Sequence, residues 1–230
     1  TVDVSDNPLS TLALTVHIPT LAGRGVGVDY SVPVTIPDGS LEQAFRDALG
    51  KPAGYLTDDD MESLTALDAS SRNIINLDGL QYCTNLTILD LSDNQISNLM
   101  QLGGLPSLTV LDLSDNQISD LQPLVDNADL NSGDTVDVRD NPLPAESFSI
   151  HIPALEARGV TVDYTPPVIV VIPDANLEQA LRNALGKPTG DLIDLDLASL
   201  TTLSASYRNI ASIEGLQYCF NLTCLDLRAN

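Results

Sequence analysis

LTILDLSDNQIS, residues 86–97, recurs 22 positions later as LTVLDLSDNQIS, residues 108–119. In the first copy the apolar positions fall at Leu86, Leu89, Leu91, Ile96, Leu99 and Leu102. In the second they fall at Leu108, Leu111, Leu113, Ile118, Leu121 and Leu124. The shared pattern is L-x-x-L-x-L-x-x-N-x-I, with Asn94 and Asn116 at the fixed polar place. A unit this short cannot close a core by itself and buries its leucines only when neighbouring turns stack on both sides. Side chains alternate in Leu89-Asp90-Leu91, so the leucines point inward and Asp90 outward. One strand per turn then stacks into a parallel sheet. Asn94 falls where the strand ends, and a column of such amides can pair backbone groups that would otherwise be buried without partners. Ile96, Leu99 and Leu102 line the return side, where short helical turns are expected.

This spacing resembles that of leucine-rich repeat proteins, specifically the 22-residue internalin-type repeats of microbial surface proteins. The resemblance implies an α/β leucine-rich repeat solenoid, with a parallel β-sheet on the concave side, short helical turns on the convex side and helical N-terminal caps. It also implies a non-catalytic scaffold, extracellular or at a cell surface, that binds a protein partner on the concave face.

A longer period overlies the first. Residues 34–94 match 170–230 without a gap at an offset of 136, with roughly two-thirds of the positions identical. IPD at Ile36, LEQA at Leu41, ALGKP at Ala48 and GLQYC at Gly79 recur at Ile172, Leu177, Ala184 and Gly215, and TVDVSDNPL at Thr1 recurs as TVDVRDNPL at Thr135. Residues 1–33 therefore read as the C-terminal part of a preceding module. Residues 34–165 read as a complete module with a helical cap, its turns starting near Leu64, Leu86, Leu108 and Val136. Residues 166–230 read as the cap and first repeats of the next. Both chain ends are expected to leave a strand edge to be covered by flanking sequence or by another copy of the chain.

Each module is expected to open with a helix after Ile36 or Ile172. Asp38 or Ser40 can cap the first, and Ser40 with Gln43 has capping-box spacing. Leu41, Phe45, Ala48 and Leu49 give it an apolar face, and Gly50 and Pro52 end it. A second short helix is expected after Thr57, with Asp58, Asp59 and Asp60 near its positive end. In the closing segments, Val4, Asn7 and Pro8 copy Val138, Asn141 and Pro142. Gly25 and Gly159 take the place just past a helix end, and last strands follow at Val26–Tyr30 and Val160–Tyr164.

Acidic residues number 32 against 10 basic ones, a formal charge of −22, and aspartate supplies 26 of the acids. No basic footprint for nucleic acid exists, and an anionic membrane surface would repel the chain. No apolar run approaches a membrane span, so membrane insertion is not expected. No signal-peptide pattern opens at Thr1, where the chain begins inside a repeat. Cys83 and Cys219 share one place in two copies of GLQYC and read as small buried apolar residues, and Cys224 stands where the other copy has Ile88. Three cysteines make no disulfide framework.

Nucleophile elbow, phosphate loop, zinc motif and paired catalytic carboxylates are all missing from the sequence. Gly23-Arg24-Gly25-Val26-Gly27 leads into an expected strand, where a phosphate cradle needs a helix. His17 and His151 read as structural. On the outward face of the sheet, Asp68, Asp90, Asp112 and Asp137 should form a column at strand spacing of about 4.8 Å. Ser70, Ser92 and Ser114 run beside it, with Ile88 and Val110 on the other side. Two readings stand: these aspartates bind a partner or a divalent cation such as calcium, or they bond neighbouring hydroxyls and solvent. No calcium loop occurs, and no metal ligand set or cofactor is assigned. The candidate concave-face set is Asp68, Ile88, Asp90, Ser92, Val110, Asp112, Ser114 and Asp137. That face lacks Trp, Tyr, Phe and, apart from Arg139, Arg, the types that usually anchor protein interfaces. Asn85-Leu86-Thr87 and Asn221-Leu222-Thr223 are N-glycosylation acceptors by sequence, or simply the repeat consensus. Two functions follow: a surface scaffold for adhesion or protein binding, or a structural subunit of an extracellular fibre built from copies of the chain stacked end to end.

Overall fold

The computed structural model describes residues 2–3, 13–26, 28–29 and 31–230. It divides into two compact units, Thr1–Thr165 and Pro166–Asn230. The expectations for Val4, Asn7 and Pro8 lie outside the described residues.

Unit one begins with β1 (Val2–Asp3), parallel to β2 (Val28–Asp29) with Val2 opposite Val28. Between them a π-helical turn, Ala13–His17, leads into α1 (Ile18–Ala22), whose second residue is Pro19.

The cap helix α2 (Gly39–Leu49) shows which of two candidate caps wins. Asp38 is the N-cap: its Oδ1 accepts from the N–H groups of Ser40 and Leu41 at 2.9 and 3.2 Å. The expected Ser40–Gln43 box does not form, and Gln43 instead donates to Asp47. The other carboxylate oxygen of Asp38 accepts from the N–H groups of Ile75 and Asn76 at 2.9 and 3.1 Å, tying the helix to the first return. A serine hydroxyl could not serve both ends. Leu41, Ala44 and Phe45 are buried, whereas Ala48 of the expected face is exposed. Gly50 closes the helix in the left-handed region at φ 62°, where glycine carries no Cβ penalty. The short helix α3 (Asp58–Glu62) follows, with Thr57 and Asp60 forming a reciprocal capping box.

The main sheet is built from β3 (Ala66–Asp68), β4 (Ile88–Asp90), β5 (Val110–Asp112), β6 (Thr135–Asp137) and β7 (Thr161–Asp163), all parallel and in chain order. Its register places Leu67, Leu89, Leu111, Val136 and Val162 in one inward row, and all five are buried. Fully burying a leucine contributes about 1.5–3 kcal/mol, so this row and its companions at Leu91, Leu113 and Val138 hold the stack together. The returns are the 3₁₀ turns Leu80–Tyr82 and Met100–Gly104, then α4 (Gln122–Asp126).

Asparagine satisfies the turn after each strand. Asn94 accepts from the N–H groups of Arg72 and Ile74 and donates to the carbonyls of Ala69, Leu91 and Ser92. Asn116 and Asn141 repeat the arrangement one and two turns on. Before each of them Asp93, Asp115 and Asp140 adopt φ of 53–56°. Aspartate tolerates this left-handed conformation better than most side chains do.

The unit closes through a π-helical turn, Ser147–His151, and α5 (Ile152–Glu156). Pro153 lacks an N–H and its ring crowds the carbonyl four residues back, and the wider turn that precedes it accommodates both effects. The Arg158 guanidinium donates to the carbonyls of Asn127 and Leu124, joining this segment to the third return.

Unit two repeats the opening. It contains α6 (Ala175–Leu185), α7 (Asp194–Ala198) and the parallel strands β8 (Thr202–Ser204) and β9 (Cys224–Asp226). Asp174 makes the same double set of bonds as Asp38, to Asn176 and Leu177 at the helix and to Ala211 and Ser212 in the return.

Candidate binding face

Opposite the leucine row, the register stacks Asp68, Asp90, Asp112, Asp137 and Asp163 on the solvent side of the sheet. The sequence-derived set is thus brought together on one face, with Ile88 and Val110 in the neighbouring row, 48 % and 42 % exposed.

The aspartates are not free ligands. Asp90 Oδ1 accepts from the Ser92 N–H at 2.9 Å and hydroxyl at 2.6 Å. Asp112 is held identically by Ser114, and Asp68 by Ser70. The hydroxyl and N–H of Ser70 hold the Asp68 carboxyl below the usual carboxylate range. Where the serine place is taken by Arg139, its guanidinium Nε lies 3.0 and 2.9 Å from the two oxygens of Asp137. Burial alone would raise Asp137, but the Arg139 pair outweighs it and the carboxyl stays low. The serines therefore orient the carboxylates and relieve crowding along the column. Among the described residues no group of three or more His, Cys, Asp or Glu is placed to hold a metal ion. No helix there is long and apolar enough to cross a membrane.

The Asn-Leu-Thr segments have structural tasks. Asn85 Nδ2 donates to the Glu62 carbonyl at 2.9 Å and the Thr87 hydroxyl to the Thr65 carbonyl at 2.8 Å. Asn221 and Thr223 do the same to Ala198 and Thr201. Both asparagines are exposed. His151 is buried, whereas His17 is exposed. Cys83 and Cys219 are buried free thiols, and Cys224 is exposed. Burial pushes the Cys83 thiol up to about 12.

Comparison with known proteins follows this geometry. Residues 84–126 match the leucine-rich repeat family as two copies. A stretch of 78 residues is 36 % identical to internalin H of Listeria monocytogenes, covering 33 % of this chain. Residues 84–126 are thus leucine-rich repeats, similar to those of internalins. A crystal structure of an internalin, inlF, from Listeria monocytogenes superposes with a TM-score of 0.50 over 84 % of this chain and 58 % of that one, at 21 % identity. The likeness is one of solenoid fold. The match to internalin H spans 14 % of that protein's length.

Proposed function

We propose that the internalin-type repeats form a non-catalytic protein-binding scaffold, whose contact surface is the outward face of the sheet around Ile88, Val110, Asp90 and Asp112. The observation that carries this is the pair Ile88 and Val110, apolar and nearly half-exposed on a rigid sheet, flanked by carboxylates fixed by their serines. A well-ordered apolar strip with a polar rim is the arrangement by which a flat surface gains both affinity and orientation. Its lack of aromatic side chains fits a partner that contributes the larger ones. The reading extends to an extracellular or cell-surface setting and to residues 1–33 as the end of a preceding module. Exposed Asn85 and Asn221 are where a glycan would attach in a cell that N-glycosylates exported chains.

The test is affinity capture with the native chain and with an Ile88→Glu/Val110→Glu double variant, both checked for equal thermal stability. Partners retained by the native chain and lost by the variant support the reading. A partner bound equally by both overturns it.

A further inference from the structure

The cap of unit two carries a short antiparallel ladder whose outer edge is open. Ile169 lies opposite Ile193. The Asp194 N–H donates to the Val168 carbonyl at 2.9 Å, and the Val170 N–H to the Leu192 carbonyl at 2.8 Å. Ile169 and Ile193 are thus a non-hydrogen-bonded pair, so the N–H and C=O of Ile169 point away from the ladder, as do those of Val171. Among the described residues these four groups make no hydrogen bond. Val170 and Ile172 are buried, whereas Ile169 and Val171 are 60 % and 77 % exposed.

The first cap holds the same ladder with its edge closed. Pro33 lies opposite Thr57, with the Asp58 N–H on the Val32 carbonyl at 2.9 Å and the Val34 N–H on the Leu56 carbonyl at 2.8 Å. The outward places there belong to Pro33 and Thr35. Proline has no N–H to offer a further strand, and natural sheets use it to blunt an edge. In unit two both places hold β-branched apolar residues, the types that favour cross-strand pairing. The ladder belongs to both caps. The open edge occurs in the second alone.

Carboxylates bracket that edge. Asp194 stands at one end, where its Oδ1 accepts the Val168 N–H at 3.0 Å. Asp174 follows Ile172 by two residues, and Asp191 takes the place that Tyr55 has in the first cap. The cations of this cap, Arg182 and Lys187, are already paired with Glu178 and Asp196 at 2.9 and 2.6 Å. The whole chain carries a formal −22, which opposes a second copy on this edge and favours a basic strand.

We infer that the edge at Ile169 and Val171 takes up an extended, basic peptide segment of a partner protein as a further strand. The peptide backbone pairs with the free groups of Ile169 and Val171, and two of its apolar side chains lie beside theirs. Lysine or arginine on either side meets Asp174, Asp191 and Asp194. This edge is separate from the outward sheet face around Ile88 and Val110, and either surface can fail without the other.

The experiment is amide NMR on the full chain, titrated to about 5 mM with acetyl-Lys-Lys-Val-Lys-Val-Lys-Lys-amide. The expected result is saturable shifts centred on the Ile169 and Val171 amides, slowed hydrogen exchange at both, and weaker binding as salt rises. An Ile169→Pro/Val171→Thr double variant, which installs the first cap's residues, weakens binding by about tenfold or more. Its melting temperature is expected unchanged, because the first cap accommodates both residues. The same peptide N-methylated at both valines, or with glutamate for lysine, is expected to lose binding to the same degree. No saturable shift, shifts confined to other surfaces, or equal binding by the double variant or of either altered peptide overturns the proposal. Shifts at Ile169 and Val171 that grow with protein concentration, without peptide, assign the edge to a second copy and overturn it as well.

Discussion

The side chain of Asn94 reaches back a full turn to Ile74: its Oδ1 accepts the Ile74 N–H at 2.9 Å, in a buried setting. Through Nδ2 the same amide donates to Ala69 in the earlier turn and to Leu91 in its own. Removing it orphans groups on two turns together. Asn94→Ala and Asn116→Ala are each expected to destabilise the first unit by at least about 3 kcal/mol, since a buried unpaired group costs about 1–3 kcal/mol. Urea unfolding followed by circular dichroism measures this, and a loss below 1 kcal/mol would contradict the ladder.

Leu89→Ala and Leu111→Ala are expected to cost about 2–5 kcal/mol, as cavity-forming core truncations do. Their sheet neighbours Ile88 and Val110, pointing the other way, are expected to change stability by no more than about 0.5 kcal/mol on truncation to alanine. The contrast within one strand tests inward and outward assignment in a single unfolding series.

Asp38 links acidity to cap stability. Burial would raise its carboxyl, but N–H bonds from Ile75, Asn76, Leu41 and Ser40 together hold it below the ordinary value. A carboxyl depressed in the folded state contributes stability that is present above its unfolded pKa of about 3.9 and is lost as pH falls through the folded value. Melting temperature is therefore expected to drop below about pH 4, and Asp38→Asn, which turns a donor toward Ile75 and Asn76, to lower it at neutral pH while flattening the acid slope.

Tyr207 adopts φ 58° and is 80 % exposed, at the place Ser71 holds in the first unit. A bulky residue in that conformation carries strain with little packing to offset it. Tyr207→Gly is expected to stabilise the second unit by up to about 1 kcal/mol, measured by urea unfolding of the full chain with a probe in that unit.

Thiol labelling at pH 8 is expected to modify Cys224 rapidly and to leave Cys83 untouched until the chain unfolds. Cys224 is exposed, whereas burial holds Cys83 protonated, and the thiolate is the reacting species.

The strands and the asparagine ladder were legible because the leucine spacing writes them locally, turn after turn. The choice of Asp38 over Ser40 was not, since it is made by the N–H groups of Ile75 and Asn76, 37 and 38 residues away. The exposure of Ala48 follows from the same anchoring, which turns Ala44 to the core. Asn127, which donates to the carbonyls of Leu102 and Leu105, and Arg158 lie outside the repeating pattern and gave no periodic signal. The outward row at Asp90 and Asp112 could be placed from alternation alone. That the Ser92 and Ser114 hydroxyls donate to those carboxylates is seen only in the side-chain positions.

Because each amide in the ladder looks backward to the turn before it and bonds its own turn in the same way, the stack counts in whole units. A gene that gained or lost 22 codons in phase would leave every such bond with a partner. The 25-residue step from Asn116 to Asn141 keeps the same bonds, so extra residues are absorbed in a return and length is expected to vary there or by duplication of complete coils.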